Sequence, residues 1–169
     1  MIYIILWLII VVQRLIELIM AKRNERWMIR NGAVIVNEGH YKWIVLTHVC
    51  FLIVLLLEAI YRHALQETVQ PSLLFMFFFL QAFRLWCLVS LGRYWNTKIV
   101  YIPRAPIVRK GPYRFIRHPN YIIVGLEFFF IPLLFQSYMV ACLFPILHII
   151  LMLYRIPQEN EILKQLKEV

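Results

Sequence analysis

The chain has 169 residues, 62% of them hydrophobic, and a mean hydropathy of +0.72. This is well above the roughly 45–50% apolar content of a soluble globular domain, so the composition excludes one in favour of a single membrane-embedded unit over residues 1–169. Eighteen basic residues face nine acids, all Glu, for a net charge of +9; on so apolar a background this excess suits anionic lipid head groups or an anionic cofactor, not nucleic acid.

A helix of about 17–25 apolar residues crosses the roughly 30 Å hydrocarbon layer. The first such segment is 2–20. It follows Met1 with no basic n-region, and Arg14, Glu17, Lys22 and Arg23 lie at its far end, which reads as a retained span and not a cleaved signal. Arg14 and Glu17, three apart, share a helix face and can pair. The connection from Ala21 to Lys42 carries Lys22, Arg23, Arg26, Arg30 and Lys42, and its NGAVIVNEGHY stretch sets turn signals around a short β-prone run.

A second span is predicted over 43–61, with His48 near one end and Glu58 near the other, and a third over 72–91, with Arg84 inside it. The following connection, Gly92 to Asn120, holds Arg93, Lys98, Arg104, Arg109, Lys110, Arg114 and Arg117 and no acid. Its prolines at 103, 106, 112 and 119 exclude a continuous helix and favour folded-back, extended backbone. The apolar run from Tyr121 to Tyr154 is too long for one helix and is interrupted by Pro132, Gln136-Ser137 and Pro145, which predicts a hairpin of spans 121–135 and 138–154. The tail RIPQENEILKQLKEV predicts a short amphipathic helix leaving the last span, disturbed in its first turn by Pro157, with Ile162, Leu163 and Leu166 on its apolar side.

The expected fold is an all-α integral membrane protein of five transmembrane helices, including a C-terminal helix hairpin, with structured cytoplasmic connections. The positive-inside rule puts the N-terminus outside the cell membrane and both basic connections and the C-terminus in the cytoplasm. Cys50, Cys87 and Cys142 fall singly in apolar runs and read as buried small hydrophobes. His40, His48, His63, His118 and His148 form neither H-E-x-x-H nor a compact His/Cys group, so no metal site is expected.

An ionised residue at mid-membrane costs about 2.5–3.5 kcal/mol. Arg14, Glu17, His48, Glu58, Arg84, Glu127 and His148 should therefore face protein, a pocket or the interface. Glu58 fits a simple interfacial position. The two histidines fit either buried hydrogen bonding or contact with a ligand, and Glu127 lies about two turns into the helix that follows the most polar motif of the chain.

That motif is GPYRFIRHPNY, Gly111 to Tyr121. Gly111-Pro112 makes a turn, Pro119 holds His118 away from the α region, and Asn120 is positioned to cap the next helix with Pro119 just outside it. Arg114, Arg117, His118 and Tyr121 are thereby fixed at the membrane surface. Two readings fit: a preset site for a carboxylate or phosphate, or an interfacial anchor whose arginines meet lipid phosphate. At the far end of the last span, LYRIPQENEIL places Arg155 and Glu159 four apart, as a pocket wall or as a helix-end salt bridge.

GPYRFIRHPNY, a membrane hairpin and RIPQENEIL together resemble the isoprenylcysteine carboxyl methyltransferase family of integral-membrane, S-adenosylmethionine-dependent enzymes, over Gly111 to Leu163. The R-x-x-E of the first span and the EGHY segment look more particularly like a small bacterial branch associated with alkylpyrone O-methylation. The resemblance implies S-adenosyl-L-methionine bound near the cytoplasmic surface by His118, Pro119 and Tyr121, framed by Gly111, Tyr113 and Arg117. Glu127 and His148 of the hairpin are further cofactor-binding candidates, and Arg155 and Glu159 are the catalytic ones.

Two positions depart from the family pattern: its second Glu is Asn160 here, with Glu161 about 100° further round the helix, and the glycine often found two residues after the motif tyrosine is Ile123. The expected activity is O-methylation of a small lipophilic acceptor, an alkylpyrone-type hydroxyl, with a prenylcysteine-type carboxylate as the alternative. The competing class is a non-enzymatic lipid-binding membrane scaffold, which would not bind the cofactor selectively.

Overall fold

A computed structural model describes residues 1–36, 39 and 41–165. The expectations placed on the EGHY segment and on Leu166 lie wholly or partly outside the described residues. Five helices dominate: α1 (Ile2–Arg30), α2 (Tyr41–Tyr61), α3 (Pro71–Leu91), α4 (Pro119–Leu134) and α5 (Tyr138–Gln165). All but α4 are long and apolar enough to cross a membrane. At 16 residues, α4 is the shorter apolar helix and reaches about 24 Å at 1.5 Å per residue.

Burial sorts the helices. In α4, Ile123, Val124, Glu127, Phe128, Ile131 and Leu134 are all buried, and the helix packs chiefly between α3 and α5. The outer helices turn Ile5, Leu8, Ile16, Ile53, Leu57, Phe75 and Phe79 outward. Hydrocarbon solvates such side chains as well as a protein core does, so this apolar exterior belongs to an all-helical, multi-pass membrane protein. Cys87 is buried and Cys50 half-buried, but Cys142, also expected inside, is exposed; an apolar run facing lipid has an outer surface as apolar as its core.

The helix ends differ from the sequence expectation in three places. The first helix continues well past residue 20 to Arg30, carrying Lys22, Arg23 and Arg26 on helical backbone. The tail is not a separate helix: α5 runs unbroken through Pro145 and Pro157 to Gln165. Each proline removes one helical hydrogen bond; α5 packs on α4 and α2, and beyond Pro157 its Glu159 and Asn160 still bond Tyr121 and His118. Finally, α4 begins at Pro119 with His118 as its cap residue, not at Asn120, which lies in the first turn. Proline's fixed φ suits the first helical position, where its missing N–H has no helical partner to lose.

The α4–α5 turn is a helix stop without glycine. Gln136 adopts φ +53°, its N–H donates to the Leu133 carbonyl (3.1 Å), and the Ser137 N–H donates to the Pro132 carbonyl (2.8 Å), the paired bonds of a Schellman motif. Glu58, expected at a simple interfacial position, accepts from the Met139 and Val140 N–H groups at 3.0 Å each. Its carboxylate thus caps the exposed donors of α5, where the helix dipole favours negative charge.

At the opposite end the two basic connections meet. Residues Val34–Ile35 (β1) pair antiparallel with Val100–Tyr101 (β2), Val34 opposite Tyr101. This short ribbon puts both connections on one face of the bundle. Beside it, a 3-10 turn over Gly111–Arg114 docks on the end of α3. Gly111 has φ +53°, and a Cβ there would lie 2.1 Å from Ser90 Oγ.

Gly111→Ala should therefore destabilise the protein by at least the 1–3 kcal/mol typical of a strained backbone position, read as a lower melting temperature in detergent. Adding Ser90→Ala should recover part of the loss, since it removes the nearest clashing atom and leaves the strained φ.

Candidate active site

Where α1, α3 and α4 converge, charged side chains close into a buried network. Glu17 accepts from Arg84 Nε and Nη2, both at 2.6 Å, from Arg14 Nη1 at 3.0 Å and from Gln13 at 3.1 Å. Glu127 accepts from Arg14 Nη2 at 2.7 Å, from Arg84 Nη1 at 2.9 Å and from Gln81 at 3.1 Å. Arg14 and Glu17 do pair along their helix, and each also reaches another helix. Two cations and two anions balance, as low-dielectric burial demands. Glu127, a cofactor-binding candidate by sequence, is 1% exposed and forms part of this frame.

One cavity borders the network, and a second opens on the face of the basic connections. The smaller, about 220 Å³, is walled by Val11 and Leu15 of α1, Val45, Val49 and Leu52 of α2 and Phe128 of α4, with Arg14, His48, Asn120, Tyr121 and Arg155 as polar lining. Leu15 and Val49, on its apolar wall, are among the exposed apolar residues. The larger, about 670 Å³, sits on the face of the basic connections, between Ala105–Arg109, Tyr113–Arg117 and the end of α5 at Glu159, Asn160, Leu163 and Lys164. Its size is typical of a small-molecule site.

The two cavities are separated by side chains from both sequence motifs. Arg155 Nε donates to Tyr121 Oη at 2.8 Å, and its Nη2 donates to the Thr97 carbonyl at 2.8 Å. Tyr121 Oη in turn donates to Glu159 Oε2. The His118 ring stacks on Tyr121, 5.4 Å between centroids, with Nε2 bonded to Asn160 Oδ1 at 3.0 Å and Nδ1 3.7 Å from Glu159. Thus Tyr121 lines the smaller cavity, Glu159 lines the larger, and one hydrogen bond joins them.

Asn160, not Glu161, faces this cluster; Glu161 is exposed. The helical step between them settles which side chain meets His118. His148 donates from Nε2 to the Tyr121 carbonyl at 2.9 Å, and Gly125 lets the ring approach, since a Cβ there would lie 3.2 Å from His148 Cδ2. His48 bonds the Ile44 carbonyl through Nδ1 at 2.8 Å, and both histidine rings pack on Phe128. Ile123, where the family often has glycine, is buried in the core.

Of the other motif residues, Pro119 is buried as the first residue of α4, Arg117 is exposed beside the larger cavity, and Gly111 shapes the turn that carries Tyr113. Tyr113 borders the larger cavity, and among the described residues its Oη is buried without a partner. Burial, with Cys87 and Glu159 adding to it, pushes this phenol up from its ordinary range, so it stays a neutral donor. Sequence reasoning missed Thr97 and Asn120 as parts of the cavity wall. Thr97 acts through a loop carbonyl, which carries no side-chain signal.

A family model, Isoprenylcysteine carboxyl methyltransferase (ICMT), matches residues 72–165. A Bacillus subtilis (strain 168) protein, the uncharacterized protein YpbQ, is 38% identical over 162 residues, covering 94% of this chain and 96% of its own. An uncharacterized protein of Haemophilus influenzae is 25% identical over 155 residues, 90% of each chain. No solved structure matches the chain. The chain belongs to the isoprenylcysteine carboxyl methyltransferase family. By family it is a membrane methyltransferase, and enzymes of this family use S-adenosylmethionine.

Arg84→Ala should remove the residue that bridges Glu17 and Glu127 and leave buried negative charge. Breaking such a pair typically costs about 3–5 kcal/mol, so the variant should lose its monodisperse peak in detergent chromatography, while Arg93→Ala on the exposed surface should not.

Proposed function

We propose that the protein transfers a methyl group from S-adenosylmethionine to an oxygen of a lipophilic acceptor, with the cofactor in the larger cavity and the acceptor in the smaller. The observation that carries this reading is the Tyr121–Glu159 hydrogen bond, which joins the wall of an intramembrane apolar cavity to that of a polar surface cavity. A lipid-soluble and a water-soluble reactant would meet across it.

The larger cavity fits the cofactor chemically. Arg109, Arg114, Arg117 and Lys164 offer donors for a carboxylate, Glu159 and Asn160 offer acceptors for ammonium or sulfonium charge, and the unpartnered Tyr113 Oη offers one further buried hydrogen bond. When bound, S-adenosylmethionine supplies a methyl already activated on sulfur. The chain's task is positioning, which can be worth about 7–11 kcal/mol in a well-oriented pair. His118, Pro119 and Tyr121 fix one side of the junction; Arg155 and Glu159, on α5, fix the other. His148 braces the two helices through the Tyr121 carbonyl, and Glu127 acts through Arg14 and Arg84 beneath them.

The basic face, tied together by the β1–β2 ribbon, is placed in the cytoplasm, where the cofactor is available, and the N-terminus outside. The acceptor reaches the smaller cavity from the bilayer, past Leu15 and Val49. An alkylpyrone hydroxyl is the acceptor suggested by the bacterial-branch resemblance; a prenylcysteine carboxylate is the alternative from the wider family.

Purified protein in lipid nanodiscs should bind labelled S-adenosylmethionine and pass the label to a component of a lipid extract from its own source. A folded protein that binds none of the cofactor would overturn the reading in favour of a lipid-binding scaffold. Arg155→Ala should lower the methyl-transfer rate about 100-fold, the loss typical of a 1 Å misplacement of reacting groups, while cofactor binding changes far less.

A further inference from the structure

Two apolar side chains stand exposed at the tip of the most basic connection. Directly after the 3-10 turn, Phe115 is 79% exposed and Ile116 43%, flanked by Arg114 and Arg117, which are exposed as well. The Arg114 guanidinium lies 5.9 Å from the centre of the Phe115 ring. Among the described residues, neither arginine pairs with a carboxylate, and the connection from Gly92 to Asn120 contains no acid that could supply one.

The turn that carries this tip sits where α3 leaves the hydrocarbon. Leu85, Trp86 and Val89 are exposed near the end of that helix. Gly111 is pressed against the same end, since a Cβ there would lie 2.1 Å from Ser90 Oγ and 3.0 Å from Trp86 Nε1. The indole thus turns its polar edge to the turn while half its surface stays open, the posture of a tryptophan at a membrane interface. With the turn anchored at that level, Phe115 and Ile116 meet the bilayer surface and not open water.

We infer that residues 114–117 form a binding site for an anionic phospholipid, with the phosphate between the two arginines and the acyl chains against Phe115 and Ile116. The chemistry selects this occupant. A free phosphate would satisfy the guanidiniums and leave the apolar pair bare, while a neutral lipid would cover the apolar pair and leave two cations without a counter-charge. An anion that carries acyl chains satisfies both. All four residues also line the larger cavity, so the lipid head group stands on the cavity's rim and the leaflet becomes one side of its mouth. Arg109 and Lys164, on the same cavity, remain for the anionic end of a water-soluble ligand.

The test uses the full chain, without cofactor, in phosphatidylcholine nanodiscs. Each disc carries a trace of phosphatidylglycerol or of phosphatidylcholine bearing the same photoreactive group near the glycerol, and the labelled residues are mapped by peptide mass spectrometry. A basic side chain at an anionic membrane surface raises affinity about 5-fold, so two should give the phosphatidylglycerol probe about 30-fold more labelling of residues 114–117. Glycerol 3-phosphate, which has the charge and no chains, should not compete. Arg114→Gln/Arg117→Gln should bring the two probes level, while Arg93→Gln, elsewhere on the exposed surface, should keep the preference. Should the double variant fail to fold, Phe115→Ser takes its place and should cut labelling by both probes. Equal labelling of the native protein by the two probes, labelling confined to other segments, competition by glycerol 3-phosphate, or variants that label like the native protein would each overturn the site. The readout involves no methyl transfer, so its failure and that of the function proposed above are separate results.

Discussion

Arg84 is the residue on which the rest of the structure depends. It stands within a helix that faces hydrocarbon on its other side, yet all its charge is spent on protein: a forked pair of bonds to Glu17 and a third to Glu127. Neither the arginine nor the two carboxylates would tolerate that burial alone. Their mutual need fixes α1, α3 and α4 against one another where van der Waals packing alone leaves sliding and rotation open, since apolar helices gain little hydrophobic energy by leaving lipid for each other.

The junction of the two cavities is built on top of this frame. Once α4 is held, its N-terminal turn presents His118 and Tyr121 at a fixed height, and α5, braced by His148, presents Arg155, Glu159 and Asn160 to them. The continuity of α5 through Pro157 matters here, because a break at that point would let Glu159 and Asn160 swing independently of Arg155. The junction is therefore as rigid as two packed helices, which suits a reaction limited by alignment.

Much of this is legible in the sequence. Length and hydropathy locate the apolar helices, the Gln136-Ser137 pair marks the hairpin turn, and intramembrane charges announce that some polar interior exists. The partners of those charges are not legible: Arg84 with Glu17, or Glu58 with the start of α5, are contacts between segments whose rotation about their own axes no periodicity fixes when every face is apolar. The same limit hid Thr97, which contributes only a carbonyl. By contrast, Asn160 against Glu161 was a question of one helical step, and a single contact, to His118, answers it. At Asn120 two rules competed, polar capping and proline's preference for the first helical position, and the proline prevailed.

The brevity of α4 has a consequence for how the chain enters the bilayer. Before this helix arrives, Arg14, Glu17 and Arg84 on the first three helices carry a surplus of one positive charge inside hydrocarbon. A 16-residue segment containing an acid falls short of the roughly 17–25 apolar residues that cross the hydrocarbon layer. Glu127 supplies the missing counter-charge, so a segment too short to span the bilayer alone is held there by the charge it neutralises.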